Sequence, residues 1–139
     1  MRSLCHFLVL ISSGLLLTNV HQLSAQTVQD DRKVHSFENV IISGSENTYV
    51  HISYDKSHKI TVKADGRVVH LVKTTVLGDT LNIHLLNPAE LGNAKIEIYI
   101  RLPKIKRVIM AGSGQRVVID GFNPNQLQAL TSYDCSLCS

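Results

Sequence analysis

Lys95-Ile96-Glu97-Ile98-Tyr99-Ile100-Arg101-Leu102 is the stretch that decides the fold of this 139-residue chain. Ile96, Ile98, Ile100 and Leu102 point one way along an extended backbone, and Lys95, Glu97, Tyr99 and Arg101 the other. Successive Cβ atoms of a strand lie on opposite faces, so this period of two marks a half-buried strand. Pro103 ends it, because proline has no N–H to give to a ladder. The same alternation appears upstream. Val50, Ile52 and Tyr54 share one face of Tyr49–Tyr54; Ile60, Val62 and Ala64 share one face of His58–Ala64; Leu81, Ile83 and Leu85 share one face of Thr80–Leu85.

The connections are short. Asp55-Lys56-Ser57 is a polar turn that predicts a hairpin between Tyr49–Tyr54 and His58–Ala64. Asp65-Gly66 turns the chain again into a β-rich run, Val68–Val76, which Leu77-Gly78-Asp79 reverses into Thr80–Leu85. The longest break, Asn87–Asn93, has room for one helical turn. No window holds a 3.6-residue apolar period, so almost no helix is expected.

Beyond Pro103 the rhythm shortens. Val108-Ile109-Met110, Val117-Val118-Ile119 and Leu127–Leu130 are brief strands separated by Ala111-Gly112-Ser113-Gly114 and by Asp120–Asn125. Short strands at near-even spacing with small corners read as a chain wound into rungs. The expected fold is all-β: a short-stranded, β-solenoid or β-helix-like module with hairpins in its N-terminal half. One β domain is expected over 34–139, preceded by a polar mobile leader over 26–33. The chain stops where a further rung is expected, which reads as a domain incomplete at its C-terminus.

The first 25 residues carry Arg2, an apolar run from Phe7 to Leu17 and the small-residue ending Leu23-Ser24-Ala25. That is the pattern of a secretory signal cut between Ala25 and Gln26, the alternative being retention as an anchor. The run is broken by Ser12, Ser13 and Gly14 and falls short of the roughly 20 apolar residues a membrane span needs. The expected location is therefore the periplasm, the outer-membrane surface or the extracellular space.

The chain carries 14 Lys and Arg, one of them Arg2, and 11 Asp and Glu. This mild balance argues against a nucleic-acid partner, which calls for a basic face interleaved with aromatics. The densest basic group is Arg101, Lys104, Lys106 and Arg107, with Tyr99 as its single aromatic neighbour. It reads either as a solvated strand rim that resists aggregation or as an anion site. Cys135 and Cys138 have no second ligand pair for zinc, and no helix follows them as a redox motif requires. A small terminal disulfide, favoured by an oxidising compartment, or two free thiols remain.

Several segments together resemble the putative autotransporter adhesin head GIN domain, a family of exported bacterial proteins. They begin with Val34-His35-Ser36-Phe37-Glu38-Asn39-Val40-Ile41-Ile42-Ser43-Gly44 and continue through Ile60–Asp65, Thr74–Val76 and Leu81–Ile83. Ile98–Pro103 then precedes the sharpest marker, Ala111-Gly112-Ser113-Gly114. In that family such corners recur from rung to rung; here the second would fall near Ser132–Ser136, which has neither glycine. The resemblance implies an exported, rung-built β architecture and an adhesive role. It implies no catalytic residues and no cofactor.

Catalytic motifs fail on inspection. Ser113 lacks the outer glycines of a nucleophile elbow, where Ala111 and Gln115 stand. Gly112-x-Gly114 meets Val117 instead of the third glycine of a dinucleotide fingerprint. His35, His51, His58, His70 and His84 are scattered without a ligand spacing, and Asp65, Asp79, Asp120 and Asp134 occupy turn positions. The leading expectation is a non-enzymatic module that presents a β surface to an envelope protein or glycan, with self-association through an open terminal rung. Tyr49, Tyr99 and Tyr133 are its candidate contacts, joined by Arg101, Lys104, Lys106 and Arg107. The alternatives are a carbohydrate-active β-helix enzyme, with Arg101, Lys104 or Arg107 neutralising a substrate carboxylate, and a truncated copy without independent function.

Overall fold

The structure, a computed structural model, describes residues 26–112 and 114–134. Residues 1–25, Ser113 and the Cys135/Cys138 pair lie outside the described residues, and so do the expected cut after Ala25 and the terminal disulfide.

The period-two runs lie within strands, and ten strands form among the described residues. In chain order these are β1 (Thr27–Arg32), β2 (Asn39–Ser43), β3 (Thr48–Tyr54), β4 (Lys59–Asp65), β5 (Val72–Leu77), β6 (Thr80–Leu85), β7 (Ile96–Leu102), β8 (Ile105–Ala111), β9 (Arg116–Asp120) and β10 (Leu127–Asp134). A single 3-10 turn (Val69–Leu71) precedes β5, and the break after β6 holds one helical turn, α1 (Pro88–Leu91). The strands make two five-stranded sheets. The first runs β1-β4-β7-β3-β9 and the second β10-β8-β2-β6-β5.

Apolar residues of the two inner faces form one core. Val50, Ile52, Ile60, Val62, Ile98, Ile100 and Leu102 come from the first sheet, and Val40, Ile42, Leu81, Ile83, Ile105 and Val108 from the second. Burying each such side chain contributes about 1.5–3 kcal/mol, which makes this face the main source of stability.

Three crossings from the second sheet to the first build the stack: β2 to β3, β6 to β7 and β8 to β9. Like strands pair in parallel, with β2 between β6 and β8 and β3 between β7 and β9. The β4–β5 crossing runs the other way and pairs antiparallel with β7 and β6. A coil wound strictly forward would add its layers in chain order. Here the first layer, β2/β3, sits centrally, later layers lie on both sides of it, and both sheets are open.

Two expectations need correction. The hairpin of β3 with β4 does not form, because β7 lies between them and pairs with both. The turn itself is present: the Ser57 N–H donates to Asp55 Oδ1 at 2.9 Å. A turn reverses the chain but does not choose the partner. β7, whose whole inner face is aliphatic, takes the central place where that face is covered from both sides. The expected hairpin of β5 with β6 does form, through Gly78 at φ 62°.

The second correction concerns the leader. Thr27–Arg32 is not a mobile segment but β1, paired antiparallel with β4. Its polarity suits an edge. The Arg32 guanidinium crosses to the edge of the second sheet, donating to the carbonyls of Val69 and Val72 and to Thr74 Oγ1, while Asp30 pairs with it at 2.8 Å.

The corners of adjacent layers touch. A Cβ placed on Gly112, at φ 109°, would lie 2.7 Å from the Gly44 carbonyl oxygen, and one on Gly114 would lie 2.9 Å from Glu46 Cα. Gln115, buried beside them, donates from Nε2 to the carbonyls of Ile42 at 3.2 Å and Ala111 at 3.1 Å. By contrast, a Cβ on Gly78 would meet open space. Gly112→Ala is therefore expected to cost about 3 kcal/mol, from backbone strain plus overlap, and Gly78→Ala about 1 kcal/mol from strain alone. Urea unfolding of the two variants checks this; equal losses would contradict the close approach of the corners.

Candidate functional site

The pleat that buries the inner face of the first sheet sends the alternate residues outward. Strand register arranges them in rows. Lys63, Glu97, Tyr49 and Arg116 stand side by side across β4, β7, β3 and β9, and Thr61, Tyr99, His51 and Val118 form the next row. Between these rows lies a shallow groove of about 270 Å³, lined chiefly by Tyr49, His51, Glu97, Tyr99, Arg116 and Val118. Val118 is 50% exposed and Tyr49 37%, so both present apolar surface to solvent within the groove.

Cations hold the rings. The Lys63 ammonium stands 5.0 Å from the centre of the Tyr99 ring; Lys95 lies 5.3 Å and Arg116 5.7 Å from that of Tyr49. Such contacts contribute about 0.5–1 kcal/mol each at exposed sites. His51 meets the edge of Tyr99 at 6.0 Å. Glu97, the groove's carboxylate, accepts from Lys95 at 2.9 Å, and this hydrogen bond raises the lysine pKa.

The structure thus brings Tyr49 and Tyr99 together but disperses the basic group. Arg101 shares the outer face, one row on, between Lys59 and Ser53. Lys104 lies in the turn after β7 and borders a hollow with Phe37 and His58. Lys106 forms an ion pair with Glu38, and Arg107 stands on the second sheet opposite Asn39. Their closeness in sequence is undone at Pro103, where the chain passes from one sheet to the other. Tyr133 falls on β10. His51, Lys63, Lys95, Arg116 and Val118 belong to the groove without having been singled out as contacts. Their outward phase was readable in the alternation, but their shared row exists only through the register of β4, β7, β3 and β9. Among the described residues no group of three or more His, Cys, Asp or Glu gathers at metal-binding distance.

A larger hollow, about 480 Å³, opens between the 3-10 turn and α1, with Val68, Leu71 and Leu91 at its floor and Asp65 and Arg67 at its rim. The Arg67 guanidinium lies 2.6 Å from Asp65. Hydrogen bonds from its side chain, then from its backbone N–H, pull the Asp65 carboxyl down to about 2.

Residues 36–134 match the family model described as putative auto-transporter adhesin, head GIN domain. The chain belongs to this family. Among solved structures, the head GIN chain resembles a putative adhesin of Bacteroides fragilis at 16% identity and TM-score 0.55, over 72% of this chain and 45% of that one. A putative lipid binding protein of Parabacteroides distasonis matches at 18% identity and TM-score 0.55, over 70% and 42%. A putative adhesin from that organism matches at 11% identity and TM-score 0.57, over 70% and 40%. The chain spans less than half the length of these relatives, and at such identities the likeness is one of fold. Among curated proteins none matches the sequence.

In this head GIN chain the Asp65–Arg67 pair gives a pH dependence with a definite sign. The folded carboxyl titrates near 2 against 3.8 for a free aspartate, so its stabilising contribution is present above about pH 4 and disappears as pH falls through about 2. Asp65→Asn is expected to flatten the fall of the urea midpoint across that window, with Asp31 and Asp55, also lowered, supplying the remaining slope. An unchanged slope in the variant would contradict the assignment.

Proposed function

We propose that this head GIN chain is an exported, non-enzymatic module that binds a protein or glycan of the bacterial envelope through the outer face of its first sheet. The observation that carries this reading is the groove: two tyrosines, set diagonally on neighbouring strands and flanked by Lys63, Lys95 and Arg116, around an exposed Val118. Tyrosine offers contact area and a hydrogen-bonding tip at low entropy cost, and it is enriched where binding energy concentrates. The adhesin description of the family and of two of the solved relatives supports the same reading. The signal-like pattern of residues 1–25 supports an exported compartment.

The polysaccharide-cleaving alternative needs catalytic groups on the outer face of the strands, with Arg101, Lys104 or Arg107 neutralising a substrate carboxylate. Of these, Arg101 alone stands on the outer face of the first sheet, and no observation places a catalytic group beside it.

Co-sedimentation of the purified chain with bacterial envelope fragments tests the proposal. Replacing Tyr49 and Tyr99 together by Ala is expected to lower apparent affinity by at least about tenfold, the loss associated with central contact residues. Thr75→Ala, on the outer face of the second sheet, should leave retention unchanged. Equal retention of the tyrosine variant, with an unaltered far-ultraviolet spectrum, would overturn the assignment of the face.

A further inference from the structure

We propose that the groove of the first sheet takes a carboxylate-bearing polysaccharide, with Arg116 and Lys63 receiving its acid groups and Tyr49 and Tyr99 its sugar rings. This rests on the envelope-binding reading above and names the ligand class.

The charges of the face carry the argument. Glu97 is engaged by Lys95 at 2.9 Å, and Asp31 by Thr61 at 2.6 Å and Lys59 at 3.7 Å. Asp65, two residues beyond Lys63 on β4, is engaged by Arg67, and Asp120 stands at the far end of β9 beside Ser53. Among the described residues, neither Lys63 nor Arg116 has a carboxylate within ion-pair distance. Arg116 in the groove's lining and Lys63 beside it are therefore two cations whose charge no carboxylate of the described residues compensates, and the groove's own carboxylate is already neutralised.

Spacing selects a polymer over a single small anion. The backbones of Lys63 and Arg116 stand three strand spacings apart in one row, about 14 Å, so their charges cannot meet on one small anion held by a single strand. Tyr49 lies in that row and Tyr99 one row on, each ring standing beside one of the two cations, so ring surface and cation are met together by whatever lies in the groove. A chain of acidic sugars presents the matching groups: acid groups beside apolar ring faces, repeated along its length. The tyrosine hydroxyls and the His51 ring add hydrogen-bonding groups for sugar hydroxyls. At about 270 Å³ the groove suits a narrow chain lying along the strands' outer surface.

Other occupants fit less well. A second copy docked on this face about a two-fold axis would set the same uncompensated cations near their own mates. An anionic membrane is best met by many free basic side chains spread over a flat face, whereas here Lys95 is already paired with Glu97 and the free cations flank a groove.

Titration calorimetry of the purified chain with galacturonate oligomers tests the proposal. Binding is expected to weaken as salt rises from about 0.01 M to about 0.15 M, where the screening length falls from about 30 Å to about 8 Å. Arg116→Gln and Lys63→Gln should each weaken it about fivefold, as the loss of one exposed ionic contact does. Tyr99→Ala should weaken it further, and neutral glucan oligomers of equal length should bind far less. Both Gln substitutions are at the surface, and an unaltered far-ultraviolet spectrum confirms that they fold. Equal affinity for the neutral oligomers, unchanged binding of the Gln variants, or tighter association with anionic phospholipid vesicles would each overturn the inference. Retention on envelope fragments without galacturonate binding overturns the ligand class alone; failure of both overturns the envelope-binding reading as well.

Discussion

The four aliphatic side chains of β7 can leave water only if a strand covers each side of β7 and a second sheet covers its face. Ile96, Ile98, Ile100 and Leu102 are all fully buried, with β4 on one flank and β3 on the other. Because strand side chains alternate, a slip of one residue would drive Glu97 and Arg101 into the core. The register is therefore specified by burial, and the outer face inherits it. Tyr99 stands beside His51, and Glu97 beside Tyr49 and Lys63, because their inward neighbours Ile98 and Ile100 are held. The groove is a consequence of the core.

Close stacking also restricts the corners and edges. Gly44 and Gly112 bring the backbones of adjacent layers into contact, and Gln115 ties the carbonyls of Ile42 and Ala111 across that contact. At one side of the stack the sandwich is open between β1 and β5. Arg32 spans it, supplying donors to carbonyls that would otherwise face an open seam. An inward-pointing charge on an edge strand also discourages pairing with another chain. β1 contributes little apolar area, yet it occupies the edge that would otherwise be left at β4.

What could be read from the residues was local. The alternation of Lys95–Leu102, the turn at Gly78 and the glycine corner at Gly112 each depend on a few adjacent residues, and each became the element expected. The pairing of β3 with β7 rather than β4 depends on residues more than forty positions apart, and no local signal encodes it. The polar segment 26–33 lacks alternation because an edge strand is held by backbone pairing and by Arg32, not by an apolar face. One nonlocal clue was present: Val40-Ile41-Ile42-Ser43-Gly44-Ser45 repeats the pattern of Val108-Ile109-Met110-Ala111-Gly112-Ser113, and β2 and β8 are indeed parallel neighbours. The basic group misled for the complementary reason, since nearness in sequence survives only until the chain changes sheet.

Nuclear Overhauser contacts between backbone protons test this arrangement most directly. The account predicts contacts from Val50 to Ile98 on one side and to Val117 on the other, in the pattern of parallel strands. A continuous ladder joining Tyr49–Tyr54 directly to Lys59–Ala64 would contradict it, and would remove with it the rows that make the groove.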